Sequence, residues 1–142
     1  MKSVTVLCCT LLITMAAWGQ PKELVSGDDA SRLTDDIMMV LETENVDKSM
    51  KIMKKYMAID KSKSKTMTGD LESLLKNSKT KHGKMIGTSF VKKENVGKFL
   101  VRYTHVLLYE EQPVWVRFTY YKSGKTYTLK NVDWGEDLNV LF

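Results

Sequence analysis

Near residue 84 the apolar residues stop recurring at helical spacing and begin to alternate, and this change of period constrains the architecture more than any other feature of the chain. Upstream, Leu33, Ile37, Met38, Val40 and Leu41 fall at three- and four-residue spacing, which predicts a helix over residues 28–44. Ser26 and Asp29 form a capping box at its start. Residues 45–47 interrupt the pattern. A second helix is expected to about Ala58, burying Met50, Met53 and Met57 while Lys48, Lys51 and Lys55 face out. Residues 61–66, KSKSKT, read as a solvated loop. A third, short helix follows, with Asp70 and Glu72 at the positive end of its dipole and Leu71, Leu74 and Leu75 as its buried stripe. Lys76, Lys79 and Lys81 lie near its carboxyl end.

Downstream, residues 84–92, 98–109, 114–122 and 125–134 are rich in Val, Thr, Tyr, Phe and Trp. Turn residues bound them: 95–97, 110–113, Ser123-Gly124 and Gly135. Such short connections require neighbouring strands to run antiparallel. Helices first and strands afterwards predict an α+β domain, its helices packed on one face of a curved antiparallel sheet of about four strands. Residues 136–142 are expected to form a short turn against a sheet edge.

The first 19 residues have the three parts of a secretory leader: Lys2, an apolar run from residue 4 to 15, and small residues at Ala17 and Gly19. Cleavage is expected before Gln20, leaving one domain over residues 20–142. An uncleaved anchor is the competing reading, disfavoured by the polar flank and the cleavage pattern. A lipoprotein box is excluded, because Leu7 rather than a small residue precedes Cys8. Both cysteines, Cys8 and Cys9, leave with the leader, so disulfides, cysteine metal sites and thiol catalysis are excluded together. A domain of that length can be stabilised by its own core. Small secreted animal domains usually lean on disulfides, so their absence favours a bacterial periplasmic or extracellular protein.

Twenty-two basic and 17 acidic residues give a net charge of +5, reduced to +4 once Lys2 is removed. Nineteen of those 22 are lysines, whereas arginine is the residue that recognises phosphates and bases bidentately. Nucleic acid is therefore not an expected partner, and no stable membrane anchor is expected after cleavage. The lysine-rich helix and loop read as a solvated face before they read as a lipid contact.

The element order, with VRYTHVLLYEEQPVWVRFTYYK and TYTLKNVDWGEDLNVLF in the strand half, resembles the nuclear transport factor 2-like superfamily, and within it small exported bacterial proteins. The resemblance spans most of residues 28–142 and rests on order and strand texture. It implies a cone of curved sheet wrapped around a helix. A cystatin-like layout is the second choice, since its single long helix leaves the other helical segments unexplained. Function does not follow, because this fold hosts isomerases, hydratases and non-catalytic binders alike.

Taking Ser123-Gly124 as a two-residue loop pairs Tyr120 with Tyr127, Phe118 with Leu129, Val116 with Asn131 and Val114 with Asp133. A four-residue loop at 110–113 pairs Tyr109 with Val114, Leu107 with Val116, His105 with Phe118 and Tyr103 with Tyr120. One face then carries these apolar residues and should meet the helices. The other carries Arg102, Thr104, Trp115, Arg117, Thr119, Tyr121 and Lys130. An odd-length loop at Glu110 would exchange the faces of the first strand.

On the inward face, Tyr103, His105, Tyr109, Phe118, Tyr120 and Asn131 are the expected ligand-binding residues of an apolar pocket with a few polar groups. The ligand would be a small apolar or amphipathic molecule, or else the domain binds a protein partner. The alternative is an isomerase- or hydratase-type enzyme with Asp133 as general base and His105 or Tyr109 assisting. Those roles come by analogy with the superfamily. Set against them, Asp133 beside Gly135 reads equally as a turn cap and His105 as a core histidine. No metal is expected, since His82 and His105 lie on different elements, and no cofactor is implied. The methionines at 50, 53 and 57 read as helix core rather than a copper site. Trp115, Tyr121 and Trp134 on the outward face predict a homodimer through the sheet face.

Overall fold

The computed structural model describes residues 19–142. Residues 1–18 of the expected leader lie outside the described residues. Three helices come first: α1, Gly27–Glu42, α2, Val46–Tyr56, and α3, Lys61–His82. Four strands follow, β1, Met85–Val96, β2, Leu100–Tyr109, β3, Pro113–Ser123, and β4, Thr126–Gly135, and a 3-10 turn, Leu138–Leu141, closes the chain. The strands form one antiparallel sheet in the order β1-β2-β3-β4. The α+β class and the meander therefore stand as the sequence predicts.

Local chemistry sets the helix boundaries. Ser26 caps α1, its hydroxyl accepting from the Asp29 N–H at 3.1 Å and donating to the Asp29 carboxylate at 2.8 Å. Glu44, at φ 56°, ends the run, and Asn45 caps α2 by accepting from the Lys48 N–H. Residues 61–66 are a correction: they form the opening turns of α3. Asp60 caps that helix, accepting from the Lys63 N–H at 2.7 Å. The buried stripe of α3 is Ser64, Met67, Leu71, Leu75 and Ser78, so hydroxyls stand at both ends and the apolar period is visible only in the middle. Gly83, at φ 83°, turns the chain into β1, and a Cβ there would collide with the Glu110 carboxylate. That carboxylate accepts from the Lys84 N–H at 2.9 Å.

The core lies between the helices and one sheet face. Ile37, Met38 and Leu41 of α1, Met50 and Met53 of α2 and Leu71 of α3 meet Leu107, Val114, Val116, Phe118 and Leu129. Each such side chain contributes about 1.5–3 kcal/mol when fully buried. Met57 is buried as expected, but beyond the end of α2, in extended backbone that bridges to Leu129.

The register of the sheet departs from expectation in two ways. First, β2 and β3 pair Leu107 with Val114, His105 with Val116 and Tyr103 with Phe118, two residues away from the predicted partners. A two-residue slip leaves every side chain on its predicted face. Second, the β3–β4 turn is Gly124-Lys125, with only Gly124 at positive φ, 60°, as a type II′ turn requires. Tyr120 pairs with Leu129, and Thr119 then pairs with Asn131, which leaves Lys130 as an extra residue in a bulge. That residue reverses the faces of the rest of β4. Val132 and Trp134 turn inward, opposite Phe118 and Val116, while Asn131 and Asp133 turn outward, opposite Thr119 and Arg117.

The outward face is also more covered than expected. Residues 138–141 pack on β3, an inner strand, rather than on an edge. Arg117 donates to the Val140 carbonyl at 3.0 Å and lies 5.2 Å from the Trp115 ring centroid. The Trp115 indole rests on Gly135, where a Cβ would come within 2.9 Å of the ring. With Trp134 packed against the core, the predicted aromatic patch reduces to Tyr121.

Candidate functional site

The sheet brings Tyr103, His105, Phe118 and Tyr120 together on its inward face. Tyr103 and Tyr120 meet edge to face, as do His105 and Phe118, with centroids 5.7 and 6.1 Å apart. Phe90 of β1 closes on the other side of His105 at 5.3 Å. The Tyr103 hydroxyl donates to the Gly27 carbonyl at 2.9 Å, tying β2 to the start of α1. Burial lowers the pKa of His105, with Asp35, 3.8 Å from its Nε2, working in the opposite direction. The imidazole is therefore neutral at pH 7. Burial raises the pKa of Tyr103, of Tyr120 strongly, and of Tyr109 to about 12, with Glu44 adding to the rise at Tyr109. Of these phenols only that of Tyr103 has an acceptor.

Tyr103, His105, Tyr109, Phe118 and Tyr120 are all buried. None of five prominent surface clefts of the described residues is lined by Tyr103, His105, Tyr109, Phe118 or Tyr120. The hydroxyls of Tyr109 and Tyr120 and the His105 Nε2 are buried without hydrogen-bond partners. Asn131 and Asp133 are not part of the cluster. They stand exposed on the outer face, bonded to each other at 2.8 Å. Asp133 lines a cleft of about 530 Å³ with Asp70, Trp115 and Arg117. A carboxylate in that position is wet, whereas a general base with a raised pKa needs a dry site.

The largest of the five clefts, about 610 Å³, lies between the end of α2 and the first half of α3. Its floor is Ile59, Ser64, Thr68 and Gly69, and its rim is Lys54, Lys61, Lys65, Asp60 and Glu72. Gly69 is exposed, and a Cβ there would meet nothing within 4 Å. The Thr68 hydroxyl already donates to the Ser64 carbonyl at 2.8 Å, so that polar group is paired within the wall. The helix places Lys61 and Lys65 on one face, one turn apart.

The electrostatics of this cleft run against helix convention. The first turn of α3 contains no acidic residue, and Lys61 and Lys63 stand in it where the dipole is positive, with Lys65 just beyond. Asp60 is committed to the Lys63 N–H, which leaves Glu72 as the free acid of the rim. Reading residues 61–66 as a loop hides this site in the sequence. The signal that reveals it is Asp60 followed by Ser64, Met67, Leu71, Leu75 and Ser78 at helical spacing. Among the described residues no group of three or more His, Cys, Asp or Glu is placed to hold a metal ion. No described helix is long and apolar enough to cross a membrane.

No family model matches the chain, and no curated protein or solved structure matches it either. The functional reading therefore rests on the chemistry of the clefts.

Proposed function

We propose that this chain is an exported, non-catalytic domain that binds a small amphipathic anion in the cleft between α2 and α3. The observation that carries the reading is the grouping of Lys54, Lys61 and Lys65 around a cleft that Ile59, the lysine stems and the Thr68 methyl make largely apolar, with Asp60 and Glu72 as its acids. The cleft volume lies within the roughly 300–1,000 Å³ typical of small-molecule sites. Lysine stems extend the apolar wall while their ammonium groups reach the rim, which suits a ligand with a hydrocarbon body and an anionic head. A cation at a helix amino end costs about 0.3–1 kcal/mol. A bound anion relieves that cost at Lys61, in the first turn of α3.

Export to the periplasm or the extracellular space rests on the leader pattern of residues 1–19. A nuclear transport factor 2-like cone is supported by the order of elements and by β-bulges in β1 and β4, since each bulge bends its strand. The isomerase alternative has less support, because its proposed base, Asp133, faces water beside Asn131.

Calorimetric titration with dodecanoate and with dodecyltrimethylammonium tests this function. The two probes share a chain and differ in head charge. Dodecanoate is expected to bind at one site and the cation to show no binding. Equal binding of both, or binding of neither, contradicts the proposal.

A further inference from the structure

We infer that β1 pairs antiparallel with β1 of a second copy of this chain, about a two-fold axis at Ser89, joining two four-stranded sheets into one of eight strands. The two edges of the sheet are finished differently. The β4 edge is closed by Leu24, which exchanges backbone hydrogen bonds of 2.9 and 2.8 Å with Tyr127, and by Met57 beside Leu129. Among the described residues nothing covers the β1 edge, although β1 is the longest strand at 12 residues. A long uncovered edge is a template for another strand.

The side chains along this edge are apolar and exposed. Residues 85–91, MIGTSFV, carry no charge, and Ile86 and Phe90 remain 65% and 52% exposed. Phe90 pairs with His105 and therefore lies on the helix side of the sheet. Above it, Met39 of α1 is 65% exposed. Met39 falls on the same helix stripe as Asp35 and Glu42, which reach His105 and Thr88 across the seam at 3.8 and 3.3 Å. Adding a second β1 at this edge covers Phe90 and Met39 of both copies.

Charge and register select a second copy over a foreign strand. With the axis at Ser89, Lys84 of each chain stands opposite Glu94 of the other, twice over, which stabilises the pair. Moving the axis one residue to Thr88 sets Lys84 against Lys92 twice, which opposes pairing. Glu94 also contacts Lys92 of its own chain at 3.2 Å and serves as the anion between two lysines. The bulges of β1 fit the same axis. The register shifts place extra residues at Ile86 and Val91, on either side of Ser89. Each half of the ladder then has one extra residue on both strands, and the shifts cancel. Thr88 of one copy faces Phe90 of the other on the helix side. This pairing does not depend on the α2–α3 cleft.

Cross-linking tests the axis directly, in the full chain with Cys8→Ser and Cys9→Ser, which removes both native cysteines. Opposed residues of antiparallel strands have Cα atoms about 4.5–5.5 Å apart, within disulfide range. The Ser89→Cys variant is expected to give a covalent dimer on mild oxidation, while the Thr119→Cys variant, altered on the outer sheet face, forms no covalent dimer. In sedimentation velocity the parent chain is expected to run as a dimer. Lys84→Glu should weaken association about tenfold, and adding Glu94→Lys should restore it. A parent chain that remains monomeric overturns the inference, as does a covalent dimer from Thr119→Cys with none from Ser89→Cys. A dimer unaffected by Lys84→Glu overturns the Ser89 register.

Discussion

The rings of Tyr103 and Tyr120 meet edge to face at 5.7 Å, with planes at 89°, but their hydroxyls have opposite fates. The Tyr103 hydroxyl donates to the Gly27 carbonyl, whereas that of Tyr120 is buried with no partner. An unpaired buried hydroxyl is a net cost, and a paired one contributes about 0.5–1.5 kcal/mol. Tyr103→Phe is therefore expected to lower stability by about 1 kcal/mol. Tyr120→Phe, which keeps the ring and removes the orphan, should be neutral or stabilising. Urea denaturation of the two variants checks the difference in sign.

His105 makes folding sensitive to acid. Burial lowers its folded pKa below the ordinary 6.5, against the opposing pull of Asp35, while its other ring neighbours, Phe90 and Phe118, are uncharged. As pH falls through about 6.5 the unfolded chain takes up the proton first, so stability declines from there down to the folded pKa. The slope attributable to one such group is at most about 1.4 kcal/mol per pH unit. Denaturation midpoints between about pH 7.5 and 5.5 should fall more steeply for the parent chain than for His105→Gln. Equal slopes would place the acid sensitivity elsewhere.

Tyr109 sets a corresponding limit at high pH. Its phenol is pushed up to about 12, first by burial and then by Glu44, from an ordinary value of 10.0. The unfolded chain ionises first as pH rises above about 10, so the stability linked to this group is present below that value and is lost progressively to about 12. Ultraviolet absorbance of phenolate is expected to rise together with loss of structure. In Tyr109→Phe the alkaline unfolding midpoint should move upward.

Much of the fold is legible in the sequence because period and capping are local properties. Ser26 with Asp29 marks the start of α1, and the alternation in the strands places Tyr103, His105, Phe118 and Tyr120 on one face. The registers are less legible, since a shift of one position in which residues form a hairpin loop moves the whole pairing. An even slip preserves the faces of β2 and β3. The bulge at Lys130 has no sequence signature, and it alone moves Asn131, Asp133 and Trp134 to the opposite faces. The α2–α3 cleft is hidden for a related reason. Ser64 and Ser78 occupy buried helix positions where small hydroxyls pack as well as alanine but do not register as apolar.

The lysines at the start of α3 should set stability against binding. Lys61→Glu places an acid in the first turn of α3, at the positive end of the helix dipole, where it gains about 0.3–1 kcal/mol. Lys61→Glu is expected to melt at a higher temperature than the parent chain, and both Lys61→Glu and Lys65→Glu to lose affinity for dodecanoate. A gain in stability with unchanged affinity would separate these lysines from the ligand.

Amide chemical-shift mapping with dodecanoate tests the central claim most directly, because it reports the place of binding as well as its occurrence. The α2–α3 site predicts saturable shifts at Lys54 and across residues 59–72, with the amides of Tyr103, His105 and Tyr120 unmoved. Shifts centred on the inward strand residues, with residues 59–72 silent, would contradict it.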